Sequence, residues 1–438
     1  MSFRKNFVIG LMLFALFLGA GNIIFPPLLG QMAGDQLFIA MAGFLITGVG
    51  LPLLAVLAIA NAGEGGLQSI ASRVHPLFGV FFTMVIYMAI GPFFGIPRTA
   101  TVSYEIGVVP FLTDGLVDAN WTLPLFTVLF FTLTVILALN PAKLVDRIGK
   151  VLTPILFVVI GALAVKSILT PMGKLGESHG EYMDSPFFRS FVEGYLTMDV
   201  IAALVFGIVV INALRDEGVT QRGPILKAMT IAGLIAAGGL AIVYISLSYI
   251  GATSVEVIGI QPNGGAVLAR ASTVLYGTSG TAILAATIIF ACLTTSIGLV
   301  SACAQYFKQL FPNRSYKMFV FLFAGFSALV SNVGLTQLIS FSLPVLMMVY
   351  PLAIVLMLMS FIDKLFGREP IVYILALLAT AFVSIFDGLL VAEIDVKPVT
   401  SILAHLPLYE QNIGWLVPAI VGALIGVVIS FFTRKRNS

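Results

Sequence analysis

Again and again along this chain a run of apolar residues, near the length an α-helix needs to cross a bilayer, ends at a short polar join and another run begins. In lipid an unpaired backbone group costs several kcal/mol, so each run is read as a helix. Twelve are counted, at roughly 6–30, 37–60, 77–100, 121–139, 150–170, 195–214, 225–251, 279–306, 316–331, 334–360, 370–390 and 411–432. The joins carry the punctuation: Asn61-Ala62-Gly63-Glu64-Gly65-Gly66, Asn140-Pro141, Pro171-Met172-Gly173, Arg215-Asp216-Glu217-Gly218, Pro312-Asn313-Arg314 and Gly367-Arg368-Glu369-Pro370. Only 10% of the residues are charged, against about 25% in a soluble domain. The expected fold class is therefore an all-α polytopic membrane protein, with twelve transmembrane helices in one domain over 1–438. No small-residue cleavage site follows the first run, which is read as a retained span rather than a signal peptide.

Charge orients the bundle. With the N-terminus inside, the inner joins hold Arg4, Lys5, Arg73, Lys143, Arg147, Lys150, Arg215, Arg222, Lys227, Lys308, Arg314, Lys317, Lys364, Arg368, Arg434, Lys435 and Arg436, which is 17 of the 23 basic residues. The positive-inside rule then places both termini in the cytoplasm, which an even number of spans requires. The longest loops, near 101–120, 171–194, 252–278 and 391–410, all fall on the opposite side. Cys292 and Cys303 lie in one run, about 16 Å apart by helical rise, and so cannot pair with each other.

The first run contains LGAGNIIFPP, residues 18–27. Each Gly costs about 1 kcal/mol against Ala in a helix interior, and each Pro about 3 kcal/mol. A non-helical stretch at membrane depth survives where it faces a cavity or ligand. Gly19 and Gly21 unwind the chain at low steric cost. From Asn22 onward a second half-helix is expected, with its amides and positive dipole end facing the break. Pro26 and Pro27 are placed near its first turn, where a missing N–H costs least. Such discontinuous helices form the substrate and ion sites of secondary transporters.

Other polar residues converge on that depth. Thr294, Thr295 and Ser296 form a hydroxyl cluster in AILAATIIFACLTTSIGLV (282–300), with Thr287, Ala291, Thr294, Thr295 and Gly298 on one helical face. Two hydroxyls and a carbonyl one turn back make a hard oxygen half-shell, and carbonyls near Ala15 and Leu18 are placed to complete it. An uncharged all-oxygen shell suits Na⁺ better than a proton. The competing reading is that these hydroxyls bond their own helix or bind helices together. The sixth run, YLTMDVIAALVFGIVVINAL, carries Asp199 near its outer end and Gly207 mid-span as a candidate second break. The third ends GPFFGIPRTATVSYE, where Gly91-Pro92 and Pro97 loosen the helix and Phe93 and Phe94 are candidates for an apolar pocket. Arg98 there is read either as a gating residue or as a side chain snorkelling to the interface.

FALFLGAGNIIFPP, GPFFGIPRTATVSYE, YLTMDVIAALVFGIVVINA and CLTTSIGL together resemble the bacterial branched-chain amino acid:cation symporters, within the amino acid–polyamine–cation superfamily. The resemblance covers essentially the whole chain. It implies the leucine-transporter fold: two inverted repeats of five helices (6–170 and 195–360), unwound helices 1 and 6, and peripheral helices at 370–390 and 411–432. It also implies that Gly19, Ala20 and Gly21 present amides to a substrate carboxylate, with Asn22 beside them. Phe94, Phe206 and Gly207 would form other parts of the pocket. Thr294 and Thr295 would give side-chain oxygens to Na⁺, and Ala15, Leu18 and Ala291 carbonyls. Arg98 and Asp199 would serve gating or coupling. IIFPP is one residue shorter than the corresponding stretch of better-known relatives, so nothing is carried over beyond Asn22.

The expected function is import of leucine, isoleucine and valine across a bacterial cytoplasmic membrane by alternating access. Na⁺ would be the coupling ion, with no organic cofactor, no nucleic acid and a monomer as the working unit. A proton-coupled carrier on the same fold is the nearest rival, with Lys166 as its titratable group. A polytopic enzyme would need clustered His, Asp or Glu, and His75, His179 and His405 all fall in joins.

Overall fold

The computed structural model of the chain describes residues 3–437 apart from 64, 118, 140 and 217. Of the join residues, Glu64, Asn140 and Glu217 lie outside those described. So do the side chains of Arg4, Lys143, Arg147, Lys150, Asp216, Arg434, Lys435 and Arg436. Regular structure among the described residues is helical throughout. Each of the twelve apolar runs falls on helix. Seven helical stretches are long and apolar enough to cross a membrane by length and composition, and five apolar helices are shorter.

The first run is two helices, Phe3–Phe17 and Ala20–Ala33. The break is shorter and earlier than the glycines suggest. It occupies Leu18 and Gly19, and the second half-helix starts at Ala20 rather than Asn22. Pro26 and Pro27 are consequently inside that helix, past its first turn. There they remove bonds that a helix would otherwise make to the carbonyls four residues back.

The second run is interrupted by a π-helical turn at Ile46–Gly50. The third has another at Ala89–Phe93, where Gly91 leaves helical geometry (φ −85°, ψ −118°) before the chain resumes as Gly95–Gly107. That helix continues seven residues past the expected end of the span, so 101–107 is not loop. The sixth run begins with a 3₁₀ turn, Gly194–Thr197, passes through Met198 in the left-handed region (φ 63°) and proceeds as Asp199–Asp216. The break is therefore at Met198. Gly207 lies within continuous helix, and its missing side chain lets Ile59 approach: an added Cβ would sit 2.9 Å from the Ile59 Cγ2. Much of the expected loop 252–278 is also helical. The eighth helix reaches back to Gly264 and kinks at Gly277 (φ 66°).

Small residues bring backbones together at the centre. A Cβ on Gly30 would fall 1.9 Å from the Ser248 carbonyl oxygen, and one on Gly251 2.0 Å from that of Pro27. Half-helix 20–33 thus crosses helix Arg222–Ala252 at near backbone contact, the packing that small residues permit in membranes. Helix 95–107 lies along helix 264–310, and helix 199–216 along Leu51–Ala62. The last two long helices, Pro370–Val391 and Leu416–Asn437, pack on each other, and the first also on Leu335–Ile362. Both cysteines are free and buried.

Candidate functional site

The two breaks face the same small cavity. A cavity of about 40 Å³ is walled by Leu16, Phe17 and Gly19–Asn22 of the first break, and by Thr197, Met198, Asp199, Ala202 and Phe206 around the second. Ile90, Gly95, Arg98 and Thr99 close it from the third span, and Thr295 and Leu299 from the eighth. That volume holds a few waters, so an amino acid fits only when the walls separate. Its walls are largely apolar, with a few polar groups at defined points, the usual make-up of a small-molecule site.

Asn22 organises the first break. As the third residue of the half-helix it turns its Oδ1 back to accept from the Gly19 N–H at 2.9 Å, the reciprocal arm of a capping box. Gly19 also donates to the Phe17 carbonyl at 2.6 Å. The Ala15 carbonyl, which a continuous helix would pair with the Gly19 N–H, is thereby released. The Gly19 amide is itself committed, which leaves the first-turn amides of Ala20, Gly21 and Asn22 without a helical partner.

The Asn22 Nδ2 donates across the gap to Asp199 Oδ1 at 2.7 Å and also to the Tyr244 hydroxyl. Tyr244 in turn donates to Asp199 Oδ2. Asp199 is only 1% exposed. Each of its oxygens accepts from a neutral donor, and among the described residues no cation pairs with it. Asp199 is therefore a wall of the cavity, not a solvated residue at the membrane interface. Tyr244 was missed in the sequence. Its one signal was a phenol in a long apolar helix, where a buried hydroxyl needs a partner.

Arg98 does not snorkel. It is 2% exposed, with Nη1 donating to the Leu196 carbonyl at 2.5 Å and Nη2 to Ser342 Oγ at 3.0 Å. Its guanidinium carbon lies 5.1 Å from the centroid of the Phe25 ring, and its Nε has no hydrogen-bond partner. The side chain so ties helix 95–107 to the second break, to helix 335–362 and to half-helix 20–33. No acidic residue among those described pairs with it.

The eighth helix meets the first break at Thr295, whose Cγ2 would be 3.4 Å from a Cβ on Gly19. Thr295 donates to the Ala291 carbonyl at 3.1 Å, and Thr294 donates to the Phe290 and Ala291 carbonyls, both at 2.8 Å. A hydroxyl that donates to its own helix keeps lone pairs free to accept or coordinate. Thr295 lines the cavity; Thr294, Ala291, Ala15 and Leu18 do not. Phe206 lines it too. Phe94 does not: it is buried against Phe93, and its neighbours Ile90 and Gly95 take the wall position. Gly207 faces Ile59, away from the cavity. Lys166, near the end of helix Pro141–Leu169, is not part of the site.

Two broken helices around a buried pocket, braced by further long apolar helices, define a membrane transporter of the leucine-transporter type. Solved structures bear out the fold. A nucleobase-cation-symport-1 family transporter, Mhp1, in a closed conformation with bromovinylhydantoin bound, superposes with a TM-score of 0.66 over 98% of this chain and 93% of its own, at 15% identity. MhsT in complex with L-phenylalanine gives 0.60 over 99% and 98%, at 16% identity.

Residues 2–433 match the family described as "Branched-chain amino acid transport protein", and the chain belongs to that family. It is 50% identical to the branched-chain amino acid permease BraB of Bacillus subtilis, covering 98% of this chain and 96% of that one. It is 46% identical to the branched-chain amino acid transport system 2 carrier protein of Pseudomonas aeruginosa, covering 96% and 94%. The branched-chain amino acid permease BrnQ of Escherichia coli is 40% identical, over 97% and 95%. The chain is a branched-chain amino acid carrier, not an enzyme.

Proposed function

We propose that this carrier imports leucine, isoleucine and valine together with Na⁺ by alternating access, as a monomer in a bacterial cytoplasmic membrane with both termini inside. The observation that carries the Na⁺ assignment is the meeting of Thr295 with Gly19, where helix 1 stops and releases carbonyls. Carbonyls of Ala15, Leu18 and Ala291 with hydroxyls of Thr294 and Thr295 form the oxygen shell. Ala20 and Gly21 amides take the substrate carboxylate at the positive end of the half-helix. Leu16, Phe17, Ile90, Ala202, Phe206 and Leu299 receive the aliphatic side chain. One Na⁺ moving down ~100 mV supplies about 2.3 kcal/mol, roughly 50-fold accumulation at 1.4 kcal/mol per decade.

Proton coupling on the same fold is favoured by one observation, the burial of Asp199 in the cavity wall. It would act through Asp199, since Lys166 does not line the cavity. The test is radiolabelled leucine uptake into proteoliposomes with Na⁺ or choline outside, for wild type and for Thr294→Ala/Thr295→Ala. Uptake that needs Na⁺ and is lost in the double variant is expected. Uptake driven by a pH gradient in choline overturns the Na⁺ assignment.

A further inference from the structure

Two ionisable side chains, one basic and one acidic, line the same small cavity and form no ion pair with each other. Arg98 and Asp199 are each at least 98% buried, each is held by neutral partners alone, and the Arg98 Nε has none. Ionisable side chains at membrane depth are costly, and a buried charge normally finds its counterion. Here the fold keeps the two apart. Leu196 and Ser342 hold the guanidinium, while Asn22 and Tyr244 hold the carboxylate.

The positive side is reinforced. The Arg98 Nη1 would be 3.3 Å from a Cβ on Gly21, so the guanidinium sits at the first turn of half-helix 20–33. That puts a cation and the positive end of a helix dipole at one point, with no anion between them. Asp199, by contrast, lies in the first turn of helix Asp199–Asp216, whose positive end favours a carboxylate, and that carboxylate receives two neutral donors and no cation.

We propose that Arg98 and Asp199 are a zwitterion clamp: Arg98, with the Ala20 and Gly21 amides, binds the α-carboxylate, and Asp199 binds the α-ammonium. An α-amino acid carries both charges on neighbouring atoms and satisfies both residues at once. A carboxylate displaces the neutral Ser342 oxygen and engages Nε with Nη2 as a fork, the geometry that makes guanidinium–carboxylate pairs strong. This ammonium site is a side-chain carboxylate, not backbone carbonyls alone. Recognition of the backbone is thereby separated from the apolar walls that read the side chain. The clamp rests on amino acid transport but not on the identity of the coupling ion.

The test is calorimetric binding to the purified full-length carrier, at fixed pH and saturating NaCl. The ligands are leucine, 4-methylpentanoate (leucine without its ammonium) and 3-methylbutylamine (leucine without its carboxylate). Wild type is expected to prefer leucine to either analogue by about a hundredfold or more. Asp199→Asn should weaken leucine binding at least tenfold while leaving 4-methylpentanoate within threefold of wild type. Arg98→Gln should do the same for leucine while sparing 3-methylbutylamine, and Arg98→Lys should recover part of the loss.

Equal weakening of leucine and of the analogue lacking the matching group overturns the clamp and makes the residue structural. Leucine binding unchanged in Asp199→Asn, with loss of pH-driven accumulation, also overturns it and gives Asp199 to proton coupling. Should Arg98→Gln fail to fold, the wild-type ratios decide: 4-methylpentanoate or 3-methylbutylamine binding as tightly as leucine overturns the proposal. A Na⁺-independent wild type would instead strike only the coupling assignment, leaving these ratios unaltered.

Discussion

At Gly21 a methyl group would meet three polar atoms at once: the Thr197 carbonyl at 3.2 Å, Arg98 Nη1 at 3.3 Å and the Leu196 carbonyl at 3.3 Å. The glycine lets one broken helix, a buried cation and the other break converge. Gly21→Ala is expected to lower leucine uptake by about tenfold or more, about 1.4 kcal/mol, and Gly21→Leu to abolish it, both with normal membrane insertion. Normal uptake by Gly21→Leu would refute the role given to the break. Elsewhere a glycine is structural. A Cβ on Gly264 would lie 1.6 Å from the Ile24 carbonyl oxygen, whereas Gly238 has open space around it. Gly264→Ala should therefore lower the melting temperature in detergent markedly, and Gly238→Ala should leave it unchanged or raise it slightly, for a gain in stability of at most about 0.5–1 kcal/mol. Sequence spacing puts Gly238 in an apolar run and Gly264 in an expected loop, and so gives no sign that Gly264 is the crowded one, because what surrounds each depends on how the helices pack.

Among the elements, the two breaks are built differently. The first arises from its own residues: Gly19 tolerates the turn and Asn22 caps the half-helix beyond it, so LGAGN was legible as a break. The second has no glycine at its turning point. Met198 adopts φ 63°, which costs a non-glycine residue roughly 1–2 kcal/mol, and the surrounding helices hold it there. That is why Gly207, the local helix-breaker in view, misled: propensity pointed to it, and tertiary packing placed the break nine residues earlier. Met198→Leu, which keeps an unbranched Cβ and most of the buried volume, should leave thermal stability near wild type, while Met198→Val, with a branched Cβ in the left-handed region, should lower it. Equal melting temperatures for the two variants would show that the backbone there is not strained.

For the molecule as a whole, one ionic knot joins distant segments. Asp363, at the end of helix 335–362, takes Arg73 at 2.6 Å and Arg368 at 3.2 Å, and Arg73 also reaches the Tyr373 hydroxyl at 3.3 Å. Asp363→Asn leaves two guanidiniums without their carboxylate. A loss of about 1.5–3 kcal/mol is expected, read as a lower melting temperature. The proposed orientation puts this knot on the cytoplasmic face. A green fluorescent protein fused after Ser438 should then fluoresce in cells; a dark but stably expressed fusion would reverse the assignment.

Fold class and the helical character of each apolar run were determined by the sequence alone, because lipid forces a run of this length to satisfy its backbone internally and so to become helix. The first break and the hydroxyls beside it were legible for the same reason, since LGAGN and LTTS are local departures from what lipid demands. The pocket was not. Arg98, Asp199 and Tyr244 lie on three different helices, and a charge near the end of an apolar run reads as snorkelling until its neighbours are known. Which side chains share a cavity, and which charges are kept apart there, depends on how helices distant in sequence cross. Only the tertiary structure decided that.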